Sequence, residues 1–468
     1  MFHLRRSRLR FLGILLCVQP CVHAATVYVD ARAPEPGQTG ASWSAAFTTL
    51  TAALAAARAG DEVWVAAGTY TGTFTLPADV SLYGGFAGTE TARAQRDPAK
   101  HPTTLDGARA GIVLSVSGGA QGIVIDGFTI RNGFSKSPEY RAAGIWCQRA
   151  LPTISNNVVT ANDGIGVVCE YSGAAITGNV ISDNVGAGVR LTYQSRVTVA
   201  RNSITGNSLN ATDSKTGAGI VLWECPADIE GNDIRGNGVC GIAAFEADGY
   251  LIRDNVVANN RAAGPLTLPG GNIALFYATA LIENNTVVGS NLPGIYFYGS
   301  AAGSRVTNNI SAYNDIGVAA DYANDAAIDH NDFYGNTTAE TNPATLLGQN
   351  GNISADPRFV DAAAGDYHLR VGSPCIDAGS DTAVGPGDID KDGLPRIQGA
   401  HVDMGAYESS PPLYPPLWSA ARALRIAGGL ATPLPGESDR LNAAPDGGGP
   451  SVNLLDAVAF ARQAYGLQ

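Results

Sequence analysis

Ile229-Glu230-Gly231-Asn232-Asp233-Ile234-Arg235-Gly236-Asn237 is followed by Ile252-Arg253-Asp254-Asn255-Val256-Val257-Ala258-Asn259-Asn260. Both stretches read I-x-x-N-x-I/V-x-x-N. Outward from this pair, the pattern recurs upstream at Ile154/Asn157/Val159/Asn162, Ile176/Asn179/Ile181/Asn184 and Val199/Asn202/Ile204/Asn207. Looser copies follow at Ile282/Asn285/Val287, Val306/Asn309/Asn314 and Ile328/Asn331/Phe333/Asn336. The first Asn of each copy steps by 22, 23, 30, 23, 30, 24 and 22 residues. Gly or Asn followed by an apolar residue is associated with each coil, as at Gly144-Ile145, Gly166-Val167, Gly188-Val189, Gly219-Ile220, Gly241-Ile242, Asn272-Ile273, Gly294-Ile295 and Gly317-Val318.

A period of about 22 residues holds a few short strands and their turns, too little to bury an apolar face alone. Stacked coils pair strand upon strand at about 4.8 Å, so equivalent residues form ladders. An inward Asn at a bend can bond the Asn above and below, which satisfies amides that burial would otherwise leave unpaired. Asn179, Asn202 and Asn232 are expected in one such ladder.

This periodicity resembles the right-handed parallel β-helix repeat of pectate-lyase-like proteins, over roughly residues 26–410 with the flanks. The resemblance implies an all-β solenoid with an N-terminal cap. Thr26–Asp30 alternates as a strand, Ser44–Ala57 reads as a short helix, and Gly60–Tyr70 enters the first coil. This order is similar to the cap that covers the open apolar end and the exposed strand edge in that family. Asp356–Phe359, Gly365–Tyr367, Gly372–Gly379 and Val402–Glu408 resemble the C-terminal end of bacterial cell-surface β-helix proteins, many of which carry a separate anchoring tail. Val452–Val458 resembles the end of a dockerin calcium loop and its helix, but Pro445–Pro450 lacks the acidic ligands, and the first loop of that pattern is missing. The expected organisation is 1–24 signal peptide, 25–110 cap and first coils, 111–340 repeats, 341–409 end of the β-helix, 410–417 Pro-rich linker and 418–468 helical tail.

Arg5, Arg6, Arg8 and Arg10 precede the mostly apolar Phe11–Val18, and Val22-His23-Ala24 offers a cleavage site, which together read as an export signal. The formal net charge is −12. A surface this acidic repels phosphate backbones and excludes nucleic acid as a partner. Cys147, Cys169, Cys225, Cys240 and Cys375 contain no C-x-x-C pair, so a zinc site is not expected. Their disulfide state is open.

Aligning the strand after each Gly gives an inward column Cys147, Cys169, Leu191, Leu222, Ala244, Leu275, Phe297, Ala320, so Cys147 and Cys169 should stack in the core. The outward column includes Glu170, Trp223, Phe245, Phe276 and Tyr298; the next includes Tyr193, Glu224, Glu246 and Tyr277. Exposed aromatics in a row suit stacking on sugar rings. The longer coils place extra residues at 208–216 and 261–271, with a similar stretch at 134–143, where they would wall a groove over this face.

Three constellations could carry chemistry. Glu224 and Glu246 occupy equivalent positions in adjacent coils, as a two-carboxylate hydrolase would need. Arg190, Lys215 and Tyr193 could supply the base and cation of a lyase acting on a uronate. The Asn-Thr-Asp and Gly-His-Gly motifs associated with polygalacturonase-type hydrolases are absent. Asp388, Asp390 and Asp392 precede Gly393 like the start of a calcium loop, without a Glu at the twelfth position, and suggest a structural Ca²⁺. The reading that results is a secreted or cell-surface monomer that holds polysaccharide in an aromatic and acidic groove, with an anchoring partner for the tail. A polysaccharide lyase or glycoside hydrolase, and a structural or adhesive surface protein, are its rivals.

Overall fold

The computed structural model describes residues 24–409, apart from short stretches at 35–36, 119–120, 137–140, 194–195, 300, 322–324, 338 and 342–345. The expected signal peptide, linker and helical tail lie outside the described residues. The chain divides into two compact units after Asn179. Each is a right-handed parallel β-helix whose coils contribute one strand to each of three sheets.

In the N-terminal unit the sheets are Thr26–Val29, Glu62–Ala66, Ser81–Phe86, Gln121–Asp126, Leu151–Ser155 and Ala175–Thr177; then Gly68–Thr71, Thr103–Asp106, Phe128–Arg131 and Val158–Thr160; then Phe74–Leu76, Leu114–Ser117, Ala142–Gln148 and Ile165–Glu170. The helix is shorter than expected, Leu50–Ala56, with the Thr49 hydroxyl capping Ala52 N. Phe47 instead bridges to Val29, and before it Trp43–Ala45 forms a separate 3-10 turn. Leu50, Ala53 and Leu54 are buried, and Trp64 stacks on Phe86 with centroids 4.7 Å apart, which closes the cap. Cys147 and Cys169 are direct register neighbours, fully buried, as the inward column requires.

In the C-terminal unit the first sheet runs Val197–Ala200, Ala227–Glu230, Tyr250–Arg253, Ala280–Glu283, Arg305–Thr307, Ala327–Asp329. The second runs Val180–Ser182, Ser203–Thr205, Asp233–Arg235, Val256–Ala258, Thr286–Val288, Ile310–Ala312. The third runs Val189–Thr192, Ala218–Trp223, Cys240–Phe245, Ile273–Phe276, Ile295–Tyr298, Ile316–Ala320, Ala339–Thr341. Leu191, Leu222, Ala244, Leu275 and Phe297 fill the interior.

The asparagines at the bends are buried and bonded in series. Asn157 joins Asn179 in the first unit. In the second, Asn202, Asn232, Asn255, Asn285, Asn309, Asn331 and Asn352 form one ladder, each amide nitrogen reaching the next side-chain oxygen at 2.9–3.0 Å. A second ladder links Asn207, Asn237 and Asn260. The next coil has Ser290 where the Asn should stand, and the gap is filled from elsewhere. Asn260 Nδ2 donates to Asn272 Oδ1 at 2.9 Å, and Asn272 Nδ2 donates to Asn314 Oδ1 at 3.1 Å. Glycine is needed before the other apolar pairs because a Cβ there would meet the ladder: at Gly241 it would lie 2.8 Å from Asn260 Nδ2. Beside the short Ser290 that room is free, and Asn272 uses it.

Residues beyond the last coil fold back instead of extending the stack. Phe359, Tyr367, Met404, Ala406 and Tyr407 pack on Val256, Ala258, Val288, Ile310 and Ala312, the apolar outer face of the second sheet. Lys391 Nζ donates to Gly231 O, Arg235 Nη1 to Gly365 O, Ala406 N to Thr286 Oγ1, and Gly405 N to Asn308 O. Arg396 is buried with Nη1 3.6 Å from Asp254 Oδ1, too far for a hydrogen bond.

Candidate functional site

The third sheet of the C-terminal unit carries the aromatic column, because alternate residues of a strand face outward. Trp223 pairs with Phe245, Phe245 with Phe276, and Phe276 with Tyr298 in register. The first three rings stack, at centroid distances of 4.8 and 4.4 Å. Sequence places Phe245 and Phe276 on an open face; the structure buries both to 2% exposure. Phe245 is sandwiched between the Trp223 and Phe276 rings, and Tyr296 closes on Phe276 from the side. These two phenylalanines are therefore the packed backing of the site and offer no free ring face to a sugar. Trp223 and Tyr298 remain half-buried. The stretch 208–216 lies on this face, with the Lys215 ammonium 5.1 Å from the Trp223 ring centroid. Thr267 bonds to Thr212 O and ties the 261–271 stretch to it.

The exposed part of the site is the corner just after each strand. Tyr193, Glu224, Glu246 and Tyr277 all take left-handed backbone, with φ of 54, 46, 54 and 50°. Their N–H groups donate to Trp223 O, Phe245 O, Phe276 O and Tyr298 O, which stacks the corners coil upon coil. Tyr193 is 46% and Tyr277 60% exposed. Glu224 and Glu246 are exposed, and neither carboxylate has a hydrogen-bond partner among the described residues. The row ends at Gly299, where a Cβ would sit 2.8 Å from the Tyr277 ring. The Tyr277 ring leans over that glycine and meets Tyr298 edge-on at 5.3 Å.

The other two corners of the coil also need left-handed backbone, and there the sequence mostly supplies Asn, Asp or Gly: Asp183, Asp254, Asn259, Asn284, Asn308, Gly206, Gly231, Gly236, Gly289. Those are the residues that tolerate it. Tyr and Glu do not, at about 1 kcal/mol or more per residue. The choice of side chain at this corner therefore works against the backbone.

The lyase candidates converge on one end of this face. Arg190 lies on the strand opposite Val221 and is half-buried, Tyr193 follows at the corner, and Lys215 covers Trp223. In the N-terminal unit, Glu170 is half-buried and accepts from Trp146 Nε1 at 3.4 Å and Gln148 Nε2 at 3.3 Å. Tyr171 and Arg149 occupy the same kind of corner there, with φ of 51 and 52°.

The three aspartates of the expected calcium loop do not form one ligand set. Asp390 is buried and accepts from Asp392 N, Leu394 N and Glu408 N. Asp388 Oδ2 accepts from Gly385 N and Arg253 Nη1, and Asp392 Oδ2 pairs with His368 Nε2 at 2.8 Å. The carboxylates turn to three different sets of partners, and no group of three metal-ligating residues comes together among the described residues. The alternation of Asp in sequence builds a turn that docks the C-terminal segment.

Residues 209–350 match a family described as periplasmic copper-binding protein (NosD), and residues 35–248 match one described as a protein of unknown function (DUF1565). No curated protein matches the chain. Among solved structures, pectate lyase Pel9A is similar at 15% identity over 83% of this chain and 97% of its own, with a TM-score of 0.43. XylC in complex with xylose is similar at 11% identity over 68% and 76%, TM-score 0.44. PfbA, a surface adhesin of Streptococcus pneumoniae, is similar at 13% identity over 59% and 84%, TM-score 0.30. None of these likenesses says what this chain does.

Proposed function

We propose that this chain is an exported β-helix protein that binds polysaccharide along the corner row Tyr193, Glu224, Glu246 and Tyr277. One observation carries the reading: bulky tyrosines and glutamates stand at left-handed positions where Asn or Gly would fit better, and their side chains are exposed. Backbone strain held in place by surrounding structure is a mark of functional sites. Exposed tyrosine rings offer flat apolar faces, and free carboxylates accept hydrogen bonds from hydroxyls. Trp223, Phe245 and Phe276 stiffen the row from behind. Export is inferred from the leader of four arginines and an apolar run.

Copper binding, named for one matching family, finds no support in the side chains. Residues 209–350 contain no Met, Cys225 and Cys240 are buried in the coils, and His330 bonds its neighbour Asp329.

Retention in native gels containing polysaccharide tests the reading. Tyr277→Ala and Tyr193→Ala should each weaken retention about threefold to tenfold with the circular dichroism unchanged. Full retention in both variants would sink it. The rival, a two-carboxylate hydrolase, is favoured by the adjacency of Glu224 and Glu246. It requires product release that Glu224→Gln or Glu246→Gln abolishes while retention persists.

A further inference from the structure

Given that glycan-binding reading, we propose that the corner row takes a polysaccharide without carboxylate groups, laid along the coil axis, and turns away polyuronates. The stacked corners advance one coil at a time, so Tyr193 and Tyr277 are three steps, about 14 Å, apart. That is a length for a run of linked sugars with a ring over each tyrosine and hydroxyls over the carboxylates between. Tyr277 is turned along the axis across Gly299, which lines its ring up with the row.

Charge selects the ligand. Glu224 and Glu246 occupy adjacent exposed corners with no cation bonded to either among the described residues, and exposed Asp248, two residues beyond Glu246, adds a third carboxylate. Asp248 is itself held by Thr279 Oγ1 at 2.9 Å, so it is fixed near the row. Among the described residues, two cations of this face lie back on the sheet, and Arg196 beside the row is engaged by Asp228 and Gly249 O. Lys215 rests on the Trp223 ring, and Arg190 is placed opposite Val221 and is itself engaged. A polyuronate laid over the row would bring a carboxylate close to Glu224 or Glu246, and like charges disfavour that placement. A neutral chain meets the same two groups as hydrogen-bond acceptors, and bonds to an ionised acceptor are the strong ones.

The experiment compares the full chain on neutral polysaccharides (a β-glucan and a galactomannan) and on polyuronates (polygalacturonate and alginate), at 20 and 200 mM NaCl. At least one neutral polysaccharide should be retained with little salt dependence, and the polyuronates at least tenfold more weakly. The Glu224→Gln/Glu246→Gln double variant should bind polyuronate at least threefold better than wild type, most clearly at low salt. Wild type binding polyuronate more tightly than any neutral chain would overturn this inference and leave glycan binding intact. No retention of any polysaccharide by folded protein would overturn both. Neutral binding that Tyr193→Ala and Tyr277→Ala leave untouched would show that the ligand sits elsewhere and would also overturn it.

Discussion

The exchange of Asn and Ser between two neighbouring positions of the second ladder predicts a coupled pair. Asn272→Gly restores the residue found before most of the other apolar pairs but removes three hydrogen bonds: from Asn260 Nδ2, to Asn314 Oδ1, and to Val288 O at 3.2 Å. Asn260 Nδ2 keeps its bond to Ile234 O, and Asn314 Oδ1 keeps that from Ser290 N, so neither is orphaned. At about 1 kcal/mol per bond lost, plus the backbone freedom of glycine, the single variant should lose about 3–4 kcal/mol. Ser290→Asn alone forces a second amide into the space Asn272 fills, and overpacking costs about 1–3 kcal/mol. The double variant recreates the Gly/Asn arrangement of the preceding coil, where Gly241 faces Asn260, and should fall within about 1 kcal/mol of wild type. The coupling energy is then about 3–7 kcal/mol, well above the scatter of independent sites. Urea unfolding of the four proteins measures it. Additive losses would show that Asn272 does not stand in for the missing ladder Asn.

Other outcomes follow from the same geometry. Burial raises the Asp254 carboxyl to about 7, against the pull of Arg396 and Arg253 and with Glu230 and Asp388 adding to the rise. A folded value above the unfolded 3.8 gives stability that is present below pH 4 and lost as pH rises towards 7, by up to about 1.4 kcal/mol per unit. Asp254→Asn should flatten that slope in urea titrations between pH 4 and 8; an unchanged slope would refute it. Because Asp388, Asp390 and Asp392 already have protein partners, EDTA should leave the melting temperature within about 1 °C, and a chelator-induced drop that calcium reverses would restore the metal. Cys147, Cys169, Cys225, Cys240 and Cys375 are buried as free thiols, so a thiol reagent should label none in the native protein and all five after unfolding. Fewer than five in denaturant would reveal a disulfide.

The coil architecture was legible because it is written many times over. Each copy of the Asn pattern repeats the same local demand, and the inward column down to the Cys147–Cys169 neighbours follows from period and register alone. The corrections all involve residues whose partners are distant in sequence. Phe245 and Phe276 alternate outward as expected, but alternation does not say whether an outward ring meets water or another ring. Asp388 and Asp392 read in sequence as candidate ion ligands, and their protein partners Arg253 and His368 stand 135 and 24 residues away, beyond any local pattern. Asn272 and Ser290 look in sequence like two separate lapses of the repeat. Only the stacking shows that one makes good the other.

A solenoid of stacked coils ordinarily communicates only between nearest neighbours, so it can fray or melt from either end. The returning C-terminal segment changes that connectivity in the second unit. Its bonds to Gly231, Arg235, Thr286 and Asn308, its packing on Val256 and Ala258, and its thiol contact from Cys375 to Asp332 at 3.3 Å together reach five successive coils. Those coils cannot part singly without tearing the segment away. The corners Glu224, Glu246 and Tyr277 that they carry are thereby held at fixed pitch, and the spacing along that part of the row becomes a property of a cooperative block rather than of a flexible spring.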